Sequence, residues 1–139
     1  MNESENKLKV ILADNRVVLR EGMHCVLESE GDIEVVAETT SSAQIPDLLN
    51  SYPADAVVMN AADAEGVLAQ LREAFPATRV VLVGSGVEDR PSLGPEAYLS
   101  RDMEPEELVR AVRGVGPVAG LAESKEALRN YLYSLIDAL

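Results

Sequence analysis

Five short apolar runs alternate with helix-patterned segments along this chain, and that alternation limits the fold more than any other feature. The runs are Leu8 to Ala13, Ile33 to Ala37, Ala56 to Met59, Arg79 to Val83 and Ala97 to Leu99. Most are dense in Val, Ile, Leu and Ala, as strands buried on both faces are. Between them, Leu19, Met23, Val26 and Leu27 fall on one face of a helix predicted over 17–29. Val67, Leu68, Leu71 and Ala74 do the same over 67–75. Residues 42–49 read as a short helix with Pro46 in its first turn. Pro105 opens another, with Glu106 and Glu107 at its positive end and Leu108, Ala111, Val112 and Val115 as its core face. Strands alternating with helices require right-handed crossovers, hence an α/β fold with a parallel sheet covered on both sides. In such a sheet the functional crevice opens at the carboxyl ends of the strands. There the first, third and fourth runs end at Asp14-Asn15, Asn60 and Gly84-Ser85.

Composition narrows the function classes. A chain of 139 residues fits one domain, and 47% hydrophobic content supports a real core. With no Trp and one Phe, that core is aliphatic. A net charge of −12 repels phosphate backbones and anionic membranes, so DNA contact is expected only through a segment outside this chain. The single Cys25 excludes an internal disulfide. The polar, acidic start is unlike a signal peptide, residues 1–7 read as a disordered tail, and no apolar stretch spans a membrane. A cytoplasmic location is expected. His24 and Cys25 diverge by about 100° on their helix and point away from its apolar face. They read as exposed surface residues, not metal ligands. No Gly-rich phosphate loop, Cys-x-x-Cys or Ser/His/Asp arrangement occurs, so neither a cofactor nor catalysis is expected.

Residues 8–116 resemble the receiver domains of bacterial response regulators, most closely the LuxR/NarL-type transcription factors. The resemblance rests on Val10-Ile11-Leu12-Ala13-Asp14-Asn15 with Leu19-Arg20-Glu21-Gly22, and on Asp32-Ile33-Glu34-Val35-Val36-Ala37-Glu38. It continues in Ala54-Asp55-Ala56-Val57-Val58-Met59-Asn60, and in Ala97-Tyr98-Leu99-Ser100-Arg101-Asp102 before Pro105-Glu106-Glu107-Leu108. It implies a flavodoxin/CheY-like, three-layer (βα)5 fold with parallel strand order 2-1-3-4-5. It also implies a phosphorylation site, and this chain departs from the family there residue by residue. The acidic pair that holds Mg²⁺ is Asp14 and Asn15, one carboxylate having become an amide. The phosphoacceptor position holds Asn60, a very poor nucleophile. The switch hydroxyl falls on Gly84, with Ser85 one residue late, and the phosphate-neutralising lysine aligns with Arg101.

The resemblance therefore implies a degenerate, phosphorylation-independent receiver. Metal binding is not expected beyond a weak remnant at Asp14, helped by Glu38 or Asp63; a solvated carboxylate is the simpler expectation. Asp63 is the alternative acceptor, against a plain role as helix N-cap. The loop Ala61 to Gly66 is about two residues shorter than the family pattern. The segment from Gly84 to Glu96 carries Gly86, Pro91, Gly94 and Pro95, so the fourth helix is expected to be shortened or missing.

Residues 117–139 lie beyond the resemblance, as a linker followed by an extra C-terminal helix. Leu128, Tyr131, Leu132, Leu135, Ile136 and Leu139 form one stripe at helical spacing. That helix either folds back on its own domain or joins a homodimer and leads to an effector. The functional expectation is a signalling module for dimerisation and protein interaction in an atypical response regulator. The alternative is a pseudo-receiver that senses a small ligand in the former phosphorylation cleft, anchored by Arg101 and Ser85.

Overall fold

The computed structural model describes residues 6–84 and 97–115. Strands β1 (Leu8–Ala13), β2 (Ile33–Thr39), β3 (Ala56–Asn60), β4 (Arg79–Gly84) and β5 (Ala97–Ser100) form one sheet in the order β2-β1-β3-β4-β5. Every neighbouring pair is parallel. Helices α1 (Val17–Glu28), α2 (Ile45–Ser51), α3 (Glu65–Ala74) and α4 (Pro105–Arg113) cover it. The strand alternation sorts the apolar runs into two cores. Val10, Leu12, Ala56, Val58, Val81 and Val83 pack toward Met23 and Leu27 of α1 and Leu108, Val109 and Val112 of α4. Ile11, Ala13, Val57, Met59 and Leu82 pack toward α2 and α3. A strand segment buried on both faces cannot alternate with polar residues, which is why Val10 to Ala13 of β1, Ala56 to Met59 of β3 and Val80 to Val83 of β4 read as unbroken apolar runs.

The elements differ from the sequence reading in a few places. β2 runs two residues further, because Glu38 and Thr39 continue the ladder beside Leu12 and Ala13 after an irregularity between Val10 and Ile11. Backbone pairing there does not depend on apolar side chains. α3 starts at Glu65, because the tight turn Ala61–Asp63 leads almost directly into it and Glu65 suits the positive helix end. Asp63 is not its N-cap; Ala64 holds that position. On α4 the buried face is Leu108, Val109 and Val112, with Ala111 half-buried. Val115 leaves the predicted face and is 48% exposed, because Gly114 turns the chain at φ 71° and ends the helix before it.

Of the other expectations, residues 1–5 of the tail, Ser85 and the shortened segment 85–96 lie outside the described residues. So do 116–139, with Leu128, Tyr131, Leu132, Leu135, Ile136 and Leu139. Among the described residues no helix is long and apolar enough to cross a membrane.

Gly114 is held by more than its φ. The Arg79 guanidinium donates to the Val112 carbonyl at 3.0 and 2.9 Å, satisfying an orphan acceptor of the last helical turn. A Cβ on Gly114 would stand 2.7 Å from the Arg79 side chain. Gly114→Ala should therefore lower the unfolding free energy by ~1–2 kcal/mol from its left-handed backbone alone. Gly22→Ala, whose Cβ meets open space on α1, should raise it by ~0.5–1 kcal/mol. Urea unfolding of the two variants checks the opposite signs.

Candidate functional site

The register between β1 and β3 sets Ala13 beside Met59, so Asp14 and Asn60 emerge together at the carboxyl edge. The edge is drawn closed on either side. Asp14 N–H donates to the Thr39 carbonyl at 3.0 Å, and Arg101 N–H to the Gly84 carbonyl at 2.8 Å. The expected crevice is thus assembled from Asp14, Asn15, Asn60, Gly84 and the start of the loop after β5.

Asp14 is not a solvated remnant. The residue is 1% exposed, and a carboxylate so buried needs a charged partner. Arg16, two residues on, supplies it. Its backbone N–H and Nε both donate to Asp14 Oδ1 at 2.9 Å, and its terminal nitrogen donates to Oδ2 at 2.7 Å. The first of these is an Asx turn that carries the chain from β1 into α1. The side chain then folds back over the same carboxylate as a bidentate fork. The terminal nitrogen also donates to the Val83 carbonyl at 2.9 Å, which ties β1 to β4.

Arg20, one turn into α1, extends the charge network. It donates to the Asp14 carbonyl at 2.6 Å and pairs with Glu38 at the end of β2. Glu38 meets His24 Nδ1 at 2.9 Å. His24 is therefore a partly buried partner of β2, not the bystander its helix position suggests, whereas Cys25 is exposed. Among the described residues no group of three or more His, Cys, Asp or Glu is placed to hold a metal ion.

Asn60 has a structural task. Its Oδ1 accepts from the Ala62 N–H at 3.0 Å and caps the turn Ala61–Asp63. Its Nδ2 reaches Asn15 Oδ1 at 3.4 Å, a long contact. Two amides can lie side by side because each offers both donors and an acceptor, whereas two carboxylates there would repel without a cation between them. Asp63 is exposed, and its carbonyl accepts from Ser42 Oγ at 3.1 Å. Arg101 is exposed as well. Among the described residues, the cation that reaches the floor of the crevice is Arg16 and not Arg101.

Gly84 is filled from across the sheet. A Cβ there would collide with the Tyr98 hydroxyl and stand 2.7 Å from the ring carbon that bears it. Tyr98 leans along β5 into the space that a side chain at 84 would occupy. Arg16 and Tyr98 are the two site residues that sequence reasoning missed. The signal for Arg16 was an Asp-x-Arg step at a strand-to-helix junction, a short and common pattern.

No family model matches the chain. Individual relatives do. The transcriptional regulatory protein DegU of Brevibacillus brevis is 29% identical over 126 residues, 83% of this chain and 53% of DegU. The transcriptional regulatory protein YhcZ of Bacillus subtilis is 30% identical over 112 residues, 74% of this chain and 52% of YhcZ. The signal receiver domain of the response regulator NarL from Mycobacterium tuberculosis superposes with a TM-score of 0.67 at 23% identity, over 78% of this chain and 95% of that one. This chain carries a response-regulator receiver domain of the LuxR/NarL type. The NarL likeness supports the fold, and the chain spans about half the length of DegU and YhcZ. Within this receiver domain, positions 15, 60 and 84 carry amides and a glycine, and the one carboxylate of the former acidic pair is bound by an arginine.

The Asp14–Arg16 pair makes a stability prediction. The Asp14 side chain is fully buried and that of Arg16 is 26% exposed. Removing the guanidinium leaves an uncompensated buried charge, and Arg16→Met should cost ~3–5 kcal/mol. The double variant Arg16→Met, Asp14→Leu should recover most of that loss. Guanidinium chloride unfolding of the single and double variants measures both.

Proposed function

We propose that this receiver domain works without phosphoryl transfer. In this reading it is the dimerisation and protein-interaction module of an atypical, cytoplasmic response regulator that controls transcription. One observation carries the reading: positions 15, 60 and 84, where phosphorylation needs a metal ligand, a nucleophile and a switch hydroxyl, are given over to structural contacts. Asn60 caps a turn, Asn15 meets Asn60, and Tyr98 covers Gly84. An amide at position 60 cannot attack a phosphoryl group as a carboxylate oxygen can.

The transcriptional role draws on the names of DegU and YhcZ, each about twice the matched length. DNA would be bound through a segment outside this chain, which its net charge of −12 also favours. Dimerisation is assigned to the apolar stripe Leu128, Tyr131, Leu132, Leu135, Ile136 and Leu139. The module performs no catalysis of its own. The ligand-sensing alternative is not favoured, because Arg16 covers the crevice floor that a small molecule would need.

Incubation with acetyl phosphate and Mg²⁺ should leave the intact mass unchanged, and beryllofluoride should shift no resonance near Asn60. A stoichiometric phospho-adduct would contradict the proposal. For the dimer, light scattering should give twice the chain mass for residues 1–139 and the single mass for a form ending at Gly120. Equal association states of the two forms would remove the role assigned to the C-terminal stripe.

A further inference from the structure

The receiver fold implies a divalent cation at the strand ends, and the residues present do not fit one. Mg²⁺ requires several oxygen ligands in near-ideal octahedral geometry and favours anionic ones. At the ends of β1 and β3 only Asp14 is anionic; Asn15 and Asn60 are amides. Both Asp14 carboxylate oxygens already accept from Arg16, at 2.9, 2.9 and 2.7 Å. The same guanidinium takes the Val83 carbonyl at 2.9 Å, a further oxygen at the same edge.

We infer that the Arg16 guanidinium is the resident cation of this crevice, a tethered replacement for the divalent ion that keeps metal out even when the lost carboxylates are restored. The physical grounds are independent of the acceptor residue. A guanidinium matches a carboxylate in a planar fork and is weakly hydrated, so it neutralises Asp14 with little desolvation. Its attachment two residues away makes its binding intramolecular, whereas a metal ion must give up water and displace it. The electrostatic consequence is a site with a permanent, charge-neutral pair, unable to respond to metal concentration.

The test uses the full chain and Mn²⁺, with one-to-one saturable binding read by electron paramagnetic resonance. Wild type should show none in the millimolar range. Asn15→Asp, Asn60→Asp, which restores the two lost carboxylates beside Asp14 but keeps Arg16, should bind weakly or not at all. Adding Arg16→Gln to that pair should tighten binding at least about tenfold, the scale on which single groups around a metal act. Equal affinity with and without Arg16 would overturn the inference, as would a folded triple variant that fails to bind. Circular dichroism checks that the triple variant folds. If it does not, the wild-type melting temperature decides: no change between Mn²⁺ and EDTA supports Arg16 as the resident cation, and a saturable rise contradicts it. The two readings fail separately. A wild-type phospho-adduct would overturn the proposed function, whereas metal binding by the Arg16-containing double variant as tight as that of the triple variant would overturn only this inference.

Discussion

The Asp14 carboxylate is buried just past the end of β1, an interior strand of the sheet, and an arginine two residues later closes over both its oxygens. Much of the carboxyl edge depends on that pair. The Asx turn at Asp14 sets the direction in which α1 leaves the sheet. The guanidinium bridges to β4 through Val83, and Arg20 bridges Asp14 to Glu38 on β2. An isolated carboxylate in this position would carry a severe desolvation cost. Either a metal ion or a protein cation has to offset it, and the chain supplies the cation from its own backbone neighbourhood.

The substitutions around the pair form a coherent set. Where a nucleophile would stand, an amide caps a turn; where a second metal ligand would stand, another amide meets the first. Where a side chain would project from β4, Tyr98 occupies the space. At each of these positions a group that phosphoryl transfer would use is replaced by one that packs or bonds within the fold.

How much of this was legible in the sequence follows from which contacts are local. Burial on both faces leaves an unbroken apolar run, so β1, β3 and β4 and the sheet order implied by the family resemblance were readable. Asn15, Asn60 and Gly84 were readable too, because strand ends place them whatever their side chains do. The fate of those side chains was not. Arg16 depends on a side chain doubling back over a turn, and Tyr98 on a diagonal reach between β5 and β4. His24 was misjudged because its partner Glu38 comes from β2, fourteen residues away. Val115 was misjudged because left-handed Gly114 ends α4 at Arg113, two residues before it.

The claim on which everything else rests is that Arg16 holds Asp14 continuously in solution. Nitrogen-edited proton spectra of the arginine Nε–H groups at neutral pH address it directly. Arg16 should give a resolved, slowly exchanging Nε–H signal that persists when Mg²⁺ is added and disappears from its position in Asp14→Asn. A signal that exchanges as fast as that of exposed Arg101, or one that moves as Mg²⁺ is titrated in, would contradict it.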